Sequence, residues 1–62
     1  MRYQLFAGGV RLNQQPSSLV EACSMAKDEA CRHPGVKHWV EIDGQAVARY
    51  EVVNGQMKVW VK

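Results

Sequence analysis

The sequence predicts a small α+β domain in which one helix packs on a mainly antiparallel sheet of three to four strands, in the order β-α-β-β-β. Two observations in the C-terminal half point to the sheet: strand-forming residues alternate with polar ones, and two Asx-Gly pairs interrupt the alternation. A third observation is a helical repeat of apolar residues that follows a capping signal. At 62 residues, the chain is expected to form one domain, residues 1–62, near the lower size limit for an unaided apolar core.

The first segment, RYQLF at residues 2–6, is rich in strand-forming residues and predicts a strand. AGG at 7–9 and VRL at 10–12 follow it. They predict either a hairpin with a glycine turn, which adds an N-terminal hairpin to the sheet, or a strand that runs into a loop. The pattern does not indicate which other strand this segment pairs with.

A helix is predicted from about Leu19 to residue 32. Ser18 and Glu21 have the Ser-x-x-Glu spacing of a capping box, in which each side chain accepts a hydrogen bond from a free backbone N–H. HPG at 33–35 ends the helix, because proline disfavours helical geometry at the preceding residue and glycine permits a left-handed exit. The residues that the helical repeat places toward the core are Leu19, Ala22, Cys23, Ala26 and Ala30, with Val20 and Cys31 at the margin.

The opposite side of this helix is polar and is expected to face solvent. Asp28 and Arg32 lie four residues apart there and predict a weakly stabilising ion pair. Glu29 is placed on the same solvated side. Cys23 and Cys31 are about 12 Å apart along such a helix, too far for a disulfide, so we expect two reduced thiols that act as small core residues.

The last part of the chain predicts a three-stranded meander over residues 36–42, 45–53 and 56–61. Its turns are Asp43-Gly44 and Asn54-Gly55. A two-residue turn at the second pair sets Glu51 opposite Lys58 and Arg49 opposite Trp60, which predicts a salt bridge and a cation–π contact. The same register places one set of residues on the face that is expected to meet the helix: Ala48, Tyr50, Val52, Met57, Val59 and Val61.

The loop of the first hairpin decides which side chains of residues 36–42 share that face. An even loop puts the two sets on opposite faces, whereas a three-residue loop with Gly44 in a bulge puts them together. We adopt the three-residue loop, because it brings the apolar residues to the helix side. The residues then added to the inner face are Val36, His38, Val40 and Ile42.

The outer face of the sheet carries the candidate binding residues, which are Lys37, Trp39, Val47, Arg49, Lys58, Trp60 and Lys62. Two Trp beside an Arg on a face that the helix does not cover need an explanation. One interpretation is that the first strand or a second copy of the chain covers them as a small second core. The interpretation that we favour is a binding surface, because Trp and Arg are the residues most enriched among interface hot spots.

The sequence therefore predicts a non-catalytic binding module that acts stoichiometrically on a protein partner. A single-stranded nucleic-acid binder is the first alternative, since aromatic residues can stack bases while Lys and Arg contact phosphates. The net charge of +2 is modest for that function, and Glu41 and Glu51 share the face. A structural homo-oligomer is the second alternative.

Metal binding and catalysis find little support. Cys31, His33 and His38 do not have the spacing of a zinc site, and no nucleophile and base can be placed together, so neither a cofactor nor an enzymatic activity is expected. The position of His33 is explained by the helix C-terminus, which favours a protonated imidazole. His38 is predicted to be a partly buried imidazole with a backbone partner.

No apolar run approaches the roughly 20 residues that span a bilayer, and MRYQLFAGGVRL lacks the apolar segment of a signal peptide. We therefore expect a cytoplasmic protein with no membrane partner. In size and in element order, the chain resembles some small phage or mobile-element proteins that inhibit host enzymes or bacterial defence proteins by surface binding. The resemblance covers architecture only, and it implies an inhibitor of that kind.

Overall fold

The computed structural model describes residues 2–62, which form one helix and a five-stranded antiparallel sheet. The strands lie in the order β2-β1-β3-β4-β5 across the sheet. The predicted α+β class is confirmed, including the N-terminal hairpin. The elements along the chain are β1 (Tyr3–Ala7), β2 (Val10–Arg11), α1 (Leu19–Arg32), β3 (His38–Ile42), β4 (Gln45–Val53) and β5 (Gln56–Val61).

The N-terminal strand, whose partner the sequence left open, pairs with β3. Gly8 and Gly9 take φ values of 60° and 90°, which glycine adopts without strain, and they reverse the chain into the two-residue β2. β1 then runs antiparallel to β3, with Phe6 opposite Trp39. This pairing inserts β1 between β2 and the C-terminal meander, whose three strands are neighbours as predicted.

The helix begins and ends where the capping residues predicted. The Ser18 hydroxyl oxygen accepts a hydrogen bond from the Glu21 N–H at 3.1 Å, while the Glu21 carboxylate accepts one from the Ser17 hydroxyl at 2.7 Å instead of closing the box on Ser18. At the other end, the ion pair of Arg32 is with Glu29, at 3.0 Å, and not with Asp28 as predicted. Glu29 is consequently half-buried and does not face open solvent.

The core lies between α1 and the inner face of the sheet. The helix contributes only alanines to the fully buried set, and this small side chain lets the helix approach the strands closely. The strands contribute the larger members. The buried hydrophobic residues are Leu5, Ala22, Ala26, Ala30, Val40, Ala48 and Tyr50.

The helix does not cover the whole inner face. It packs on β1, β3 and β4, because a helix about 10 Å wide cannot cover five strands spaced about 4.8 Å apart. Val59 and Tyr50 are cross-strand partners on one face, as predicted, but the expectation that Val59 and Val61 meet the helix is wrong: they are 54% and 66% exposed. Leu19 and Val20, at the first turn of the helix, are likewise exposed rather than core residues.

The first hairpin of the meander has the predicted side-chain arrangement, but its loop differs from the predicted one. Ile42 pairs directly with Gln45, so the loop has two residues, and both of them have positive φ, 49° at Asp43 and 86° at Gly44. The pairing then shifts between Val40 and Glu41. The predicted three-residue loop is therefore wrong, and a bulge inside the strand restores the register instead.

This bulge leaves Val47 as the extra residue of β4, because Glu41 pairs with Ala46 and Val40 pairs with Ala48. It brings the side chains of His38 and Val40 to the same face as Ala48, where they are buried. Val47 itself packs against the core cluster.

The two cysteines differ in environment. Cys23 is partly buried and packs against the core, as predicted, whereas Cys31 is exposed and is not a core residue. Both thiols are free. Among residues 2–62, no helix is long and apolar enough to cross a membrane.

Candidate interaction surface

The strand register builds one row of large side chains across the outer face of the sheet. The paired residues are Arg11 with Phe6, Phe6 with Trp39, Trp39 with Arg49, and Arg49 with Trp60. Each strand thus contributes one residue. We call these five residues the outer row. Because directly opposite residues of antiparallel strands project to the same side, cations and aromatic rings lie next to one another along the row.

Three contacts hold the side chains of the outer row in place. The Phe6 and Trp39 rings stack with centroids 5.3 Å apart and planes 6° apart. The Arg49 guanidinium lies over the Trp60 ring, 4.7 Å from its centroid, which confirms the predicted cation–π contact. The Trp39 indole N–H donates a hydrogen bond to Glu41 Oε2 at 2.9 Å. Contacts within the chain therefore orient both indoles.

The turn at Asn54 and Gly55 sets the register that produces the second half of the row. Both residues have positive φ, 52° and 77°, as the favoured two-residue hairpin turn requires. Glu51 lies opposite Lys58 as predicted. The Lys58 ammonium, however, donates to Gln56 Oε1 at 3.4 Å, and the predicted salt bridge is not among the ion pairs of the described residues.

An open depression of about 640 Å³ lies along this part of the sheet. It contains five of the seven residues predicted from the sequence: Lys37, Trp39, Arg49, Lys58 and Trp60. Lys62 is exposed just beyond the end of β5. Val47 is not part of this surface, because the bulge turns it toward the core and Ala46 lines the depression instead.

Positive charge predominates around the outer row. Glu41 and Glu51 are the acidic residues that line the depression, and the Glu41 carboxylate already accepts a hydrogen bond from Trp39. The cationic residues on and around the row are Arg11, Lys37, Arg49, Lys58 and Lys62. The surface therefore has an aromatic centre with cationic residues around it.

Two members of the outer row, Phe6 and Arg11, were missed by the sequence analysis. Alternation within RYQLF separates Phe6 from Leu5, but no local signal shows that β1 lies beside β3. A pairing between strands 30 or more residues apart depends on the whole core. Without that pairing, neither residue could be assigned to the face of Trp39.

The inner face of the sheet contains a buried polar side chain, that of His38. The His38 side chain is 1% exposed, so it is fully buried and not partly buried as predicted. Its Nδ1 lies 2.9 Å from the Val36 carbonyl oxygen, which supplies the predicted backbone partner. Its ring lies 6.4 Å from that of His33, whose Nε2 is 3.7 Å from Glu29 Oε2. The described residues contain no group of three or more His, Cys, Asp or Glu side chains placed to hold a metal ion.

Tyr50 is the residue with a strongly shifted ionisation. Burial of the phenol, followed by a hydrogen bond and an electrostatic interaction with Cys23, raises the pKa of Tyr50 to about 12. A phenol with the ordinary pKa of 10.0 is already neutral at physiological pH, and the raised pKa extends the neutral range to more alkaline pH. Tyr50 therefore serves the core and adds no charge to the sheet.

Comparisons of the chain with protein-family models, with curated proteins and with solved structures found no match.

Proposed function

We propose that the protein is a non-catalytic binding module that docks one protein partner stoichiometrically on the outer row. The observation that carries this proposal is the ordering of two tryptophans and an arginine on the sheet face away from the helix. Trp and Arg are the residues whose truncation most often costs binding energy at interfaces. Their position on a rigid sheet, rather than on loops, favours a defined binding geometry.

The contacts within the outer row lower the cost of binding. Fixing a mobile side chain at an interface costs about 0.5–1.5 kcal/mol. The stack on Phe6, the hydrogen bond to Glu41 and the guanidinium of Arg49 already restrict the two indoles in the free protein. More of the contact energy is then available as affinity.

The charge of the surface defines the partner's chemistry. Trp60 is 43% exposed and supplies the apolar contact, while the surrounding Lys and Arg side chains favour carboxylates. We therefore expect the partner to present an apolar patch bordered by Asp or Glu. Charges at the edge of such an interface mainly increase the association rate.

Single-stranded nucleic acid is the second candidate, supported by the same aromatic and cationic composition. It is less favoured because base stacking uses the face of an aromatic ring. Phe6 covers one face of Trp39, and Arg49 covers one face of Trp60. A protein partner can instead contact the ring edges and the exposed side of Trp60.

The architectural resemblance to small phage or mobile-element inhibitors extends this proposal. A module of this kind blocks a host enzyme or defence protein by covering its surface, without chemistry of its own. The proposed site of action is the cytoplasm, where such targets are found. Blocking requires a one-to-one complex with the target.

The experiment is affinity capture from a lysate of the source cell, with and without nuclease, followed by binding measurements on the purified partner. The test variant is Trp39→Ala/Trp60→Ala. The matched control is Leu19→Ala/Val20→Ala, which removes two exposed apolar side chains from the helix. Nuclease-resistant capture by the wild type and the control, but not by the Trp variant, would support the proposal.

Two results would contradict it. If the Trp variant is folded and captures the same proteins as the wild type, the outer row is not the binding surface. If capture disappears with nuclease and affinity falls steeply with salt, the ligand is nucleic acid, because neutralising phosphates releases counterions.

A further inference from the structure

The two edges of the sheet differ in how much unpaired backbone they expose. At one edge, β2 has two residues, and a strand this short offers little backbone for another chain to pair with. At the other edge, β5 has six residues from Gln56 to Val61, and within residues 2–62 no strand lies beyond it. A long edge strand with unpaired backbone groups is a template for pairing with another chain.

The hydrogen-bonding pattern shows which backbone groups β5 presents at its open edge. The Lys62 N–H donates to the Val47 carbonyl at 3.0 Å, so even-numbered residues of β5 direct their backbone groups toward β4. Because the direction alternates along an antiparallel strand, Met57, Val59 and Val61 direct theirs away from the sheet.

The side chains of the same residues are incompletely covered. Val59 and Val61 are 54% and 66% exposed on the inner side of β5, beyond the reach of the helix. Trp60 is 43% exposed on the outer side. One strand thus combines an open backbone edge with apolar side chains on both faces, in contrast to the rest of the sheet.

We propose that the occupant of this edge is a second copy of the chain, paired antiparallel through β5 about a twofold axis at Val59. In this register, Val59 lies opposite Val59 of the other copy, and Met57 lies opposite Val61. Both are pairs of outward-directed backbone groups, so each exchanges hydrogen bonds across the interface. The inner side of the junction becomes a continuous apolar ladder.

The side chains on the outer side of β5 favour this register over the two registers centred on Lys58 and on Trp60. Lys58 of one copy lies opposite Trp60 of the other, a cation–aromatic pair that forms twice, and Gln56 lies opposite Lys62. An axis at Lys58 would set two ammonium groups against each other. An axis at Trp60 would leave the start of the strand unpaired. The strand is therefore self-complementary in the register centred on Val59.

Pairing of this kind joins the two sheets into one of ten strands. Opposite residues of antiparallel strands project to the same side, so both outer rows lie on one continuous face. The dimer follows from the edge and not from the proposed function of the outer row. Either can hold without the other.

Sedimentation equilibrium over the micromolar to millimolar range tests the dimer. The wild type is expected to reach twice the chain mass in a concentration-dependent way. Val59→Lys and Val59→Glu each place like charges across the axis and should each raise the dimer dissociation constant at least about tenfold. An equimolar mixture of the two variants should recover the dimer, because opposite charges then face each other.

Val20→Lys and Val20→Glu are the matched controls, since Val20 is 81% exposed and belongs to the helix, which packs on β1, β3 and β4. They should dimerise like the wild type, and all variants should keep the same circular dichroism. A wild type that stays monomeric at every concentration overturns the proposal. Val59→Lys dimerising like the wild type, or a mixture that stays monomeric, also overturns it.

Discussion

The two faces of the sheet differ in the size of the side chains that lie on them. On the inner face, the helix contributes three buried alanines, whereas both tryptophans of the chain lie on the outer face. In most small domains, the largest apolar residues are needed for the core. Here the core depends on close approach of the helix, and the largest apolar surfaces are left available for contact with another molecule.

This difference implies that stability and binding can be changed separately. Substitutions on the inner face are expected to act on the free energy of unfolding, and those on the outer row on affinity. β5 lies between the two cases, because Val59 and Val61 on its inner side are exposed although they share the face of the core.

Leu5→Ala should have the largest effect on stability. Leu5 is fully buried at the centre of β1, and removing its side chain leaves a cavity that neighbouring β-strands cannot fill. The expected loss is about 2–5 kcal/mol of unfolding free energy, measured by urea denaturation. A loss below about 1 kcal/mol would mean that the inner face is not the stabilising face.

Ala26→Leu should destabilise the fold by overpacking. Ala26 is 1% exposed at the middle of the helix, where a larger side chain would push the helix away from the sheet. The expected cost is about 1–3 kcal/mol. The control is Ser24→Leu, which adds a large side chain on the exposed side of the same helix. Equal unfolding midpoints for the two variants would contradict close helix packing.

The third prediction is a loss of stability at alkaline pH that depends on Tyr50. Its folded-state pKa of about 12 lies above the ordinary value of 10.0, so folding favours the neutral phenol. This contribution is fully present below about pH 10 and is lost as the pH rises toward 12.

Absorbance of the phenolate gives the measurement, since the chain has two tyrosines. In Tyr3→Phe, the remaining phenol should ionise well above the usual range while the domain is folded. Tyr50→Phe should make the alkaline decline in stability less steep. Ionisation of Tyr50 near pH 10 in the folded protein would refute the shift.

The smallest expected changes in stability are those of the two cysteine variants, and they should differ from each other. Cys23→Ala removes a side chain that packs against the core and should cost about 1 kcal/mol, whereas Cys31→Ala on the exposed side should cost about zero. Thermal unfolding under reducing conditions measures both. If the Cys31 variant is the less stable of the two, the assigned helix orientation is wrong.

Local signals were sufficient to predict the helix and the last hairpin. Ser18 caps the helix, and the Asn-Gly turn sets Arg49 opposite Trp60, because both depend on residues close together in the chain. The contact between Arg49 and Trp60 was predicted on that basis. These elements would be recognisable in any sequence with the same short motifs.

Other features depend on interactions that no short segment contains. The bulge at Val47 has no glycine to mark it, so its presence follows from the need to bury His38 and Val40 beside Ala48. The position of β1 requires a partner far along the chain. Alternation placed Val59 on the correct face, but it carries no information on how many strands one helix can cover.

Trp60→Ala allows binding and stability to be measured in the same variant, through its affinity for the captured partner and its free energy of unfolding. We expect the dissociation constant to rise by a factor of about 30 or more, corresponding to about 2 kcal/mol. Because Trp60 is 43% exposed, unfolding free energy should fall far less than the roughly 3–5 kcal/mol of a buried aromatic residue. Unchanged affinity in the folded variant, or a loss of stability as large as that of Leu5→Ala, would contradict the division between the two faces.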